Sequence, residues 1–583
     1  MPARVYKHAR LSEWRVNLFA VLIVAIVGGI FFRLFDLTYI RHTEFVRSSQ
    51  FQYNNPAAII SGRGDIYASD YSNNSRHLVA TNKSFWYVYT NTKLIVSPQD
   101  VANQLALILS KPSEQILGQL TGGNTYQVLA DHLDKATGDK INKLNLKGIT
   151  AASEIDRFYT NGSFLADTLG FVGFDGNRRS GQYGLEAYYD DTLSGVTKTQ
   201  SFSGNKTYSA VVNIFRFLTG QSTANTSTTN DGSDLVLTVD YNIQAFVETK
   251  LSATLKKWNA EGGSVIVEDP KTGAILAMAS SPSFNPNYYS NADLKNLLNK
   301  NVQQLFEPGS SFKPVTMSGA IDTGSVTPDT TYNDTGVVQF GTYAIKNFNE
   351  KANGIQTMRQ VLEHSLNTGA MFAENKMGDD AFINYVVGFG FGQKTGIDMP
   401  GEIDGNISNL YSGRKINFAT AAFGQGIAVT PIQLVNAYSA MANNGWLMRP
   451  YLVKEVIKTD GTKVVTQPKV LGTPITEKTS LTIKSMLADV VAKGFDKAHI
   501  TGYDLAGKTG TAQIPNPNGA GYLDNNQFIH DFMGFAPAYA PRFVVLIKMD
   551  KPKGIKFAAD SLSPVYGDIA RFLIRYFNIP PNK

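Results

Sequence analysis

Leu305-Phe-Glu-Pro-Gly-Ser310-Ser-Phe-Lys313-Pro314 is the stretch around which the chain is organised. Ser310 stands three residues before Lys313, just after Pro308-Gly309. A turn at Pro-Gly followed by a helix from Ser310 would place positions i and i+3 on one face, one turn apart. A hydroxyl and an amine would then be neighbours. A lysine kept neutral by desolvation can take a serine proton, so the pair predicts a nucleophile that needs no histidine. The helix N-terminus would aim free N–H groups at an incoming oxyanion. The pattern recurs at Ser203–Lys206 and Ser412–Lys415, so the rest of the chain must choose among the three.

Composition narrows the chemistry. At 583 residues the chain has room for roughly two to four domains of about 150 residues each. Hydrophobic content of 43% against 17% charged residues describes a globular protein with ample core. The absence of cysteine excludes thiolate nucleophiles, disulfides and Cys-rich metal sites. There is no His-Glu-x-x-His, and the 7 histidines are scattered, so neither a metal nor a cofactor is expected. A net charge of +6 over this length reads as a mildly basic, solvated surface. No Lys/Arg cluster with interleaved aromatics appears, which argues against a nucleic-acid partner.

Val16 to Phe32 carries no charge and only Asn17 as a polar residue; Leu34, Phe35 and Leu37 extend it past Arg33. A spanning helix needs about 20 mostly apolar residues, and Arg33 can snorkel to the interface. Phe31-Phe32-Arg33 does not resemble a small-residue cleavage site. The stretch 16–37 is therefore read as a single transmembrane anchor. Arg4, Lys7, Arg10 and Arg15 before it, against Arg33, Arg41 and Arg47 after it, place the tail 1–15 in the cytoplasm and the remainder outside.

Residues 38–218 read as a mixed α/β module without a convergent set of catalytic types. Leu78–Ala80 and Phe85–Tyr89 suggest strands, Val101–Leu109 and Gln115–Leu120 suggest helices, and Glu186 starts a helix ending near Ser194-Gly195. A non-catalytic docking module is the reading. The polar, small-residue stretch 219–233 is a linker or loop, and 234–583 a second domain.

That second domain holds two further motifs. Ser365-Leu-Asn367 lies in an apolar-periodic region, where both side chains could reach a cleft from a loop between helices. Ser365 could shuttle a proton and Asn367 hold a substrate amide. Lys508-Thr509-Gly510-Thr511 lies in a strand-like run whose small residues would let another backbone approach. Lys508 would supply positive charge, Thr509 a hydroxyl and Thr511 an N–H for an oxyanion. Decoys exist for each: Ser72, Ser203 and Ser283 start Ser-x-Asn, and Lys271 and Lys394 start Lys-Thr-Gly. Only around Ser310 do Ser-x-x-Lys, Ser-x-Asn and Lys-Thr-Gly follow in workable order, the set found in β-lactamases and penicillin-binding proteins.

At these residues the chain resembles a class B penicillin-binding protein, a single-pass membrane D,D-transpeptidase of peptidoglycan. Arg63-Gly-Asp-Ile66, Gly184-Leu-Glu186, Asp269–Met278, Phe423-Gly-Gln-Gly-Ile-Ala-Val-Thr-Pro431 and Met533-Gly-Phe-Ala-Pro537 are similar to further family segments. Phe423–Pro431 and Glu307-Pro-Gly-Ser310 look more like the division (septal) branch than the elongation branch. Tyr67-Ala-Ser-Asp70 departs from the Asp-Arg-Asn-Gly that usually follows Arg-Gly-x-Ile.

The resemblance implies an α+β multidomain fold. After the anchor come a dimerisation-type pedestal and a penicillin-binding transpeptidase domain with a mainly antiparallel sheet flanked by helices. It implies Ser310 as nucleophile, Lys313 as general base, Ser365 as proton relay and Asn367 as the positioner. Lys508 and Thr509 would bind the terminal carboxylate, Gly510 would contact substrate, and Thr511 N–H would hold the oxyanion. Glu307 is read as a local pairing residue. Expected partners are stem peptides ending in D-Ala-D-Ala, β-lactams, the cytoplasmic membrane, a glycan polymerase and divisome proteins. An elongation-type transpeptidase, a D,D-carboxypeptidase and a division scaffold stand as alternatives.

Overall fold

The computed structural model describes residues 62–582 apart from 176–177, 198–228, 349, 495–497, 517–518, 520 and 524–526. The expected tail and anchor at 1–37, the Ser203–Lys206 pair and most of 219–233 lie outside the described residues. Among the described residues no helix is long and apolar enough to cross a membrane.

The N-terminal half is built on one long strand. The two apolar runs predicted as separate strands are parts of β2 (Ser75–Asn91), onto which β1 (Ile66–Asp70) folds as a hairpin. Helices α1 (Pro98–Leu109) and α2 (Ser113–Thr121) follow, then β3 (Tyr126–Leu133), α3 (Lys135–Lys143) and β4 (Ile149–Tyr159). Both β3 and β4 run antiparallel to β2. Val101, Leu105, Ile116, Leu120 and Ile141 from the helices pack on Val88, Leu129 and Ala151 to form a small core. Each large apolar side chain so buried is worth roughly 1.5–3 kcal/mol.

Glu186 is buried in this half and bound on both sides. Arg63 Nε donates to its Oε2 at 2.5 Å and Arg157 Nε to its Oε1 at 2.6 Å. Burial alone would raise the carboxyl, but the Arg157 and Arg63 charges outweigh it and hold Glu186 below its ordinary range. The helix predicted from Glu186 to Ser194 is instead two short ones, Gly184–Tyr188 and Asp190–Leu193, separated at Tyr189. The break turns Asp190 towards Arg63, whose Nη1 donates to it at 2.7 Å.

Strand β5 (Asp234–Asp240) runs parallel to β1 and antiparallel to Val453–Ile457. The resulting seven-stranded mixed sheet thus takes strands from both halves of the chain. Asp240 caps α4 (Tyr241–Lys257), its Oδ1 accepting from Asn242 N and Ile243 N at 2.9 Å.

The hairpin β6 (Gly262–Asp269) and β7 (Ala274–Ser281) begins the second sheet. Its remaining elements in chain order are α5 (Lys313–Asp322), α6 (Met358–Glu363), α7 (Asn367–Met377), α8 (Pro431–Ala442), α9 (Glu477–Gly494), β8 (Ala506–Gln513), β9 (Phe528–Ala536), β10 (Phe543–Asp550) and α10 (Ser563–Tyr576). The sheet is antiparallel throughout, in the order β7-β6-β10-β9-β8, with β8 at an edge. Alternation along the strands gives it two buried faces. Val265, Phe532, Val545 and Ile547 pack with Val247 and Leu251 of α4 and Ile569 and Leu573 of α10. Ile266, Met533, Val544 and Leu546 pack with Val315 of α5 and Leu434 and Val435 of α8. The expected helix-flanked antiparallel sheet is present.

Candidate active site

The Pro308-Gly309 turn is held between two neighbours. Gly309 takes φ +57, and its N–H donates to Gly424 O at 3.0 Å. Gly424 itself has φ +80, and a Cβ there would stand 2.2 Å from Gly309 O, so a side chain at 424 would push the turn away. A short 3-10 turn, Gly309–Phe312, runs straight into α5, with Pro314 in the first turn where its missing N–H costs nothing. Ser310 is half-buried and lines a groove of about 960 Å³, within the usual size of ligand sites.

Lys313 is 1% exposed, and its Nζ lies 3.0 Å from Ser310 Oγ. The same nitrogen donates to Ser365 O at 2.6 Å and to Asn367 Oδ1 at 2.8 Å. Burial, then the neighbouring Lys508 charge, push Lys313 well below the ordinary lysine range. A neutral amine has two N–H groups and one lone pair. The two carbonyl oxygens take the N–H groups, which leaves the lone pair for a hydroxyl proton.

Ser365 sits in the turn between α6 and α7, in the left-handed region at φ +55. Its Oγ is 3.2 Å from Lys313 Nζ and accepts from Lys508 Nζ at 3.0 Å. The hydroxyl therefore bridges two buried amines. Asn367 opens α7, and its Nδ2 donates to Lys346 O at 2.9 Å.

Asn367 is braced by residues that carry no sequence motif. Asn347 Oδ1 accepts from Asn367 N at 2.9 Å, while its Nδ2 donates to both Asp334 oxygens at 2.9 Å. Thr368 Oγ1 donates to Asp334 Oδ1 at 2.7 Å. Buried asparagines and aspartates inside a chemical site were the available signal, but nothing in their spacing paired them.

Lys508 is 0% exposed and projects from β8, donating also to Thr509 O at 3.2 Å. Burial lowers it to about 7, against the opposing pull of Asp531. Gly510 lets β8 lie against the Ser310 turn: a Cβ would stand 2.2 Å from Asp531 Oδ2 and 2.5 Å from Pro308 O. Thr509 and Thr511 line the groove, and Thr511 Oγ1 accepts from Ala558 N at 3.0 Å.

Glu307 pairs locally. Its Oε2 accepts from Tyr522 Oη at 2.9 Å and its Oε1 from Gly426 N at 3.1 Å; burial raises it to about 7. The decoys fall elsewhere. Ser412 Oγ donates to Asn409 O and Lys415 pairs with Asp379, while Lys271 occupies the β6–β7 turn.

Comparison with known proteins matches this architecture. Residues 263–571 fit the penicillin binding protein transpeptidase domain, and residues 58–214 the penicillin-binding protein dimerisation domain. The chain belongs to the class B penicillin-binding proteins. It is 34% identical over 515 residues to stage V sporulation protein D of Bacillus subtilis, covering 87% of this chain and 77% of that one. With the peptidoglycan D,D-transpeptidase FtsI of Escherichia coli it shares 28% over 592 residues, 100% of this chain and 95% of the relative. Penicillin binding protein 3 of Mycobacterium tuberculosis, solved with aztreonam, superposes with a TM-score of 0.67 at 25% identity, over 90% of this chain and 98% of that one. This penicillin-binding protein is thus an enzyme of the transpeptidase kind.

Proposed function

We propose that the chain is a peptidoglycan D,D-transpeptidase with Ser310 as its nucleophile. The observation that carries this reading is the buried Lys313 amine 3.0 Å from Ser310 Oγ, its two N–H groups already engaged. Ser310 Oγ attacks the carbonyl carbon between the last two D-alanines of a stem peptide as Lys313 takes the hydroxyl proton. Collapse of the tetrahedral adduct breaks the C–N bond. Ser365, between Lys313 and Lys508, relays the proton to the departing D-alanine amine. An amine of a second stem peptide then attacks the Ser310 ester, forming the cross-link amide and restoring the hydroxyl.

Asn367 positions the peptide amide. Lys508 and Thr509 receive the terminal carboxylate, and Gly510 lets the substrate-binding strand lie close to the Ser310 turn. The N–H groups of Ser310 and Thr511 hold the oxyanion, each worth about 2.7–4 kcal/mol in sites of this type. β-Lactams acylate Ser310 in place of the D-Ala-D-Ala end, as the aztreonam complex of the structural relative suggests. Labelling the full chain with a fluorescent penicillin and mapping the labelled peptide tests the assignment. A label absent, or away from Ser310, refutes it.

The biological setting follows the relatives. We assign a septal role, an anchor at 16–37, an extracytoplasmic catalytic domain at 234–583 and a pedestal at 38–218 that meets a glycan polymerase and divisome proteins. The 28% identity over the full chain to the peptidoglycan D,D-transpeptidase FtsI supports it. The 34% identity to a sporulation protein favours a second reading, in which the same chemistry builds a developmental wall. Complementation of a division-deficient strain by the wild type but not by Ser310→Ala supports the first. Normal septation after removal of the chain, with a defect only in spores, supports the second.

A further inference from the structure

Four charged side chains are fully buried on the sheet face turned towards Ser310: Glu268 on β6, beside Ser439 of α8, and three on β8, β9 and β10. Lys508 stands on β8, Asp531 on β9 opposite Gly510, and Lys548 on β10 opposite Asp531. Gly510 leaves the room that Asp531 occupies, since a Cβ there would meet Asp531 Oδ2 at 2.2 Å. Among the described residues neither carboxylate oxygen has a hydrogen-bond partner. The nearby Ser311 hydroxyl donates to Pro308 O at 2.8 Å. Lys548 pairs with Asp550, and the two hydrogen bonds given above for Lys508 go to uncharged oxygens. A buried carboxylate without donors is costly unless it balances a cation. Burial pushes Asp531 up to about 7, against the Ser311 hydroxyl and then the Lys508 and Lys548 charges; burial pulls Lys508 down, against Asp531.

We propose that Asp531 is a positioning residue for the transpeptidation: it is the counter-charge that keeps Lys508 cationic, so that Lys313 is the amine left neutral beside Ser310. This rests on the reading of Ser310 and Lys313 given above. Two neighbouring amines around one hydroxyl share their protons, and a fixed negative charge near one of them decides which holds the proton. Among the described residues Asp531 is the carboxylate whose charge acts on Lys508, across the strand pair β8–β9. Helix α5 brings Lys313, β10 brings Lys548, and α8 brings Tyr438, whose hydroxyl donates to Ser311 O at 2.7 Å. Helix α9 packs on β8 with its charges engaged elsewhere, Lys484 with Asn444 and Asp489 with Arg359. Glu363, before Ser365, pairs with Lys493. Lys556 and Asp560 line the groove.

The test is the pH profile of acylation of the full chain by a fluorescent penicillin, from pH 5 to 10. Wild type, Asp531→Asn and Asp531→Ser are compared, each also combined with Lys508→Arg. The expected wild-type rate falls on the alkaline side as Lys508 loses its proton. In the Asn and Ser variants this limb moves at least one pH unit towards acid, and the rate at pH 8 falls tenfold or more. Arginine stays charged throughout, so with Lys508→Arg the limb disappears and Asp531→Asn no longer moves the profile. A folded Asn or Ser variant that keeps the wild-type limb overturns the proposal, as does a shift that persists with Lys508→Arg. Melting curves establish folding. Should neither variant fold, an alkaline limb unchanged by Lys508→Arg alone overturns it, and a limb lost with Lys508→Arg supports it. Ser310→Ala is run in parallel: label retained there refutes the nucleophile, whatever Asp531 does.

Discussion

Replacing Lys313 by arginine separates charge from proton acceptance. The guanidinium keeps N–H groups for Ser365 O and Asn367 Oδ1, which Lys313 Nζ now serves at 2.6 and 2.8 Å. It has no lone pair, and its pKa lies above 12, so it cannot take the Ser310 proton. General bases contribute about 10²–10⁴-fold, and Lys313→Arg is expected to slow acylation by that factor. Wild-type acylation should fall as pH drops through the folded-state pKa of Lys313, because protonation consumes the lone pair. Burial, with the Lys508 charge, holds that pKa well below the ordinary lysine range, so this acid limb lies far to the acid side of where an ordinary lysine would put it. Stopped-flow acylation by a reporter β-lactam, with intact-mass confirmation of the adduct, measures the rate; a melting curve checks the fold. A folded Lys313→Arg protein within threefold of wild type would show that some other group takes the proton.

Further predictions follow from packing and burial. Glu186→Gln leaves Arg63 and Arg157, whose side chains are 10% and 2% exposed, without their shared anion; loss of one partner of a buried pair costs about 3–5 kcal/mol, read by urea unfolding. Gly510→Ala places a methyl 2.2 Å from Asp531 Oδ2 and 2.5 Å from Pro308 O. It should destabilise by about 1–3 kcal/mol and slow acylation by displacing the Ser310 turn, and unchanged melting with full acylation would contradict the packing. His530, lowered by burial from 6.5 to about 4 although Lys556 O opposes the shift, is neutral in the fold. The unfolded chain binds its proton first, so stability is lost as pH falls from about 6.5 to 4, by up to about 3 kcal/mol; His530→Asn should lose less over that window.

The closeness of Ser310 and Lys313 was legible because helical geometry is local: residues three apart meet whatever the remainder of the chain does. The turn holding Ser365 and the edge strand holding Lys508 were legible from short-range punctuation and from motif order. Partners across the fold were not. Asp234–Asp240 reads as a strand, yet its pairing with β1 rather than with the second sheet depends on a crossover that no local pattern encodes. Asp334, Asn347 and Thr368 assemble their brace across three separate segments. The helix expected from Glu186 breaks at Tyr189, and beyond the break Asp190 meets Arg63, far away in sequence.

These braces explain why each motif is short while the intervals between motifs are long. Every element that delivers a functional side chain is fixed by a contact outside its own motif. The Ser310 turn leans on Gly424 and, through Glu307, on Tyr522 and Gly426. Asn367 leans on Asn347 and Asp334. The Lys508 strand is spaced from the turn by Gly510, with Asp531 behind it. Groups placed this way need no reorganisation when charge develops on substrate, which is where preorganised sites gain most of their rate. The intervening chain must only return each element to its brace. Asp334→Ala is the sharpest expression of this argument. It touches none of the reacting atoms, but it frees Asn347 and with it the N–H anchor of Asn367. Acylation should fall severalfold or more, with Ser310 still the labelled residue. A folded Asp334→Ala protein acylated at the wild-type rate would mean that α7 holds Asn367 in place unaided.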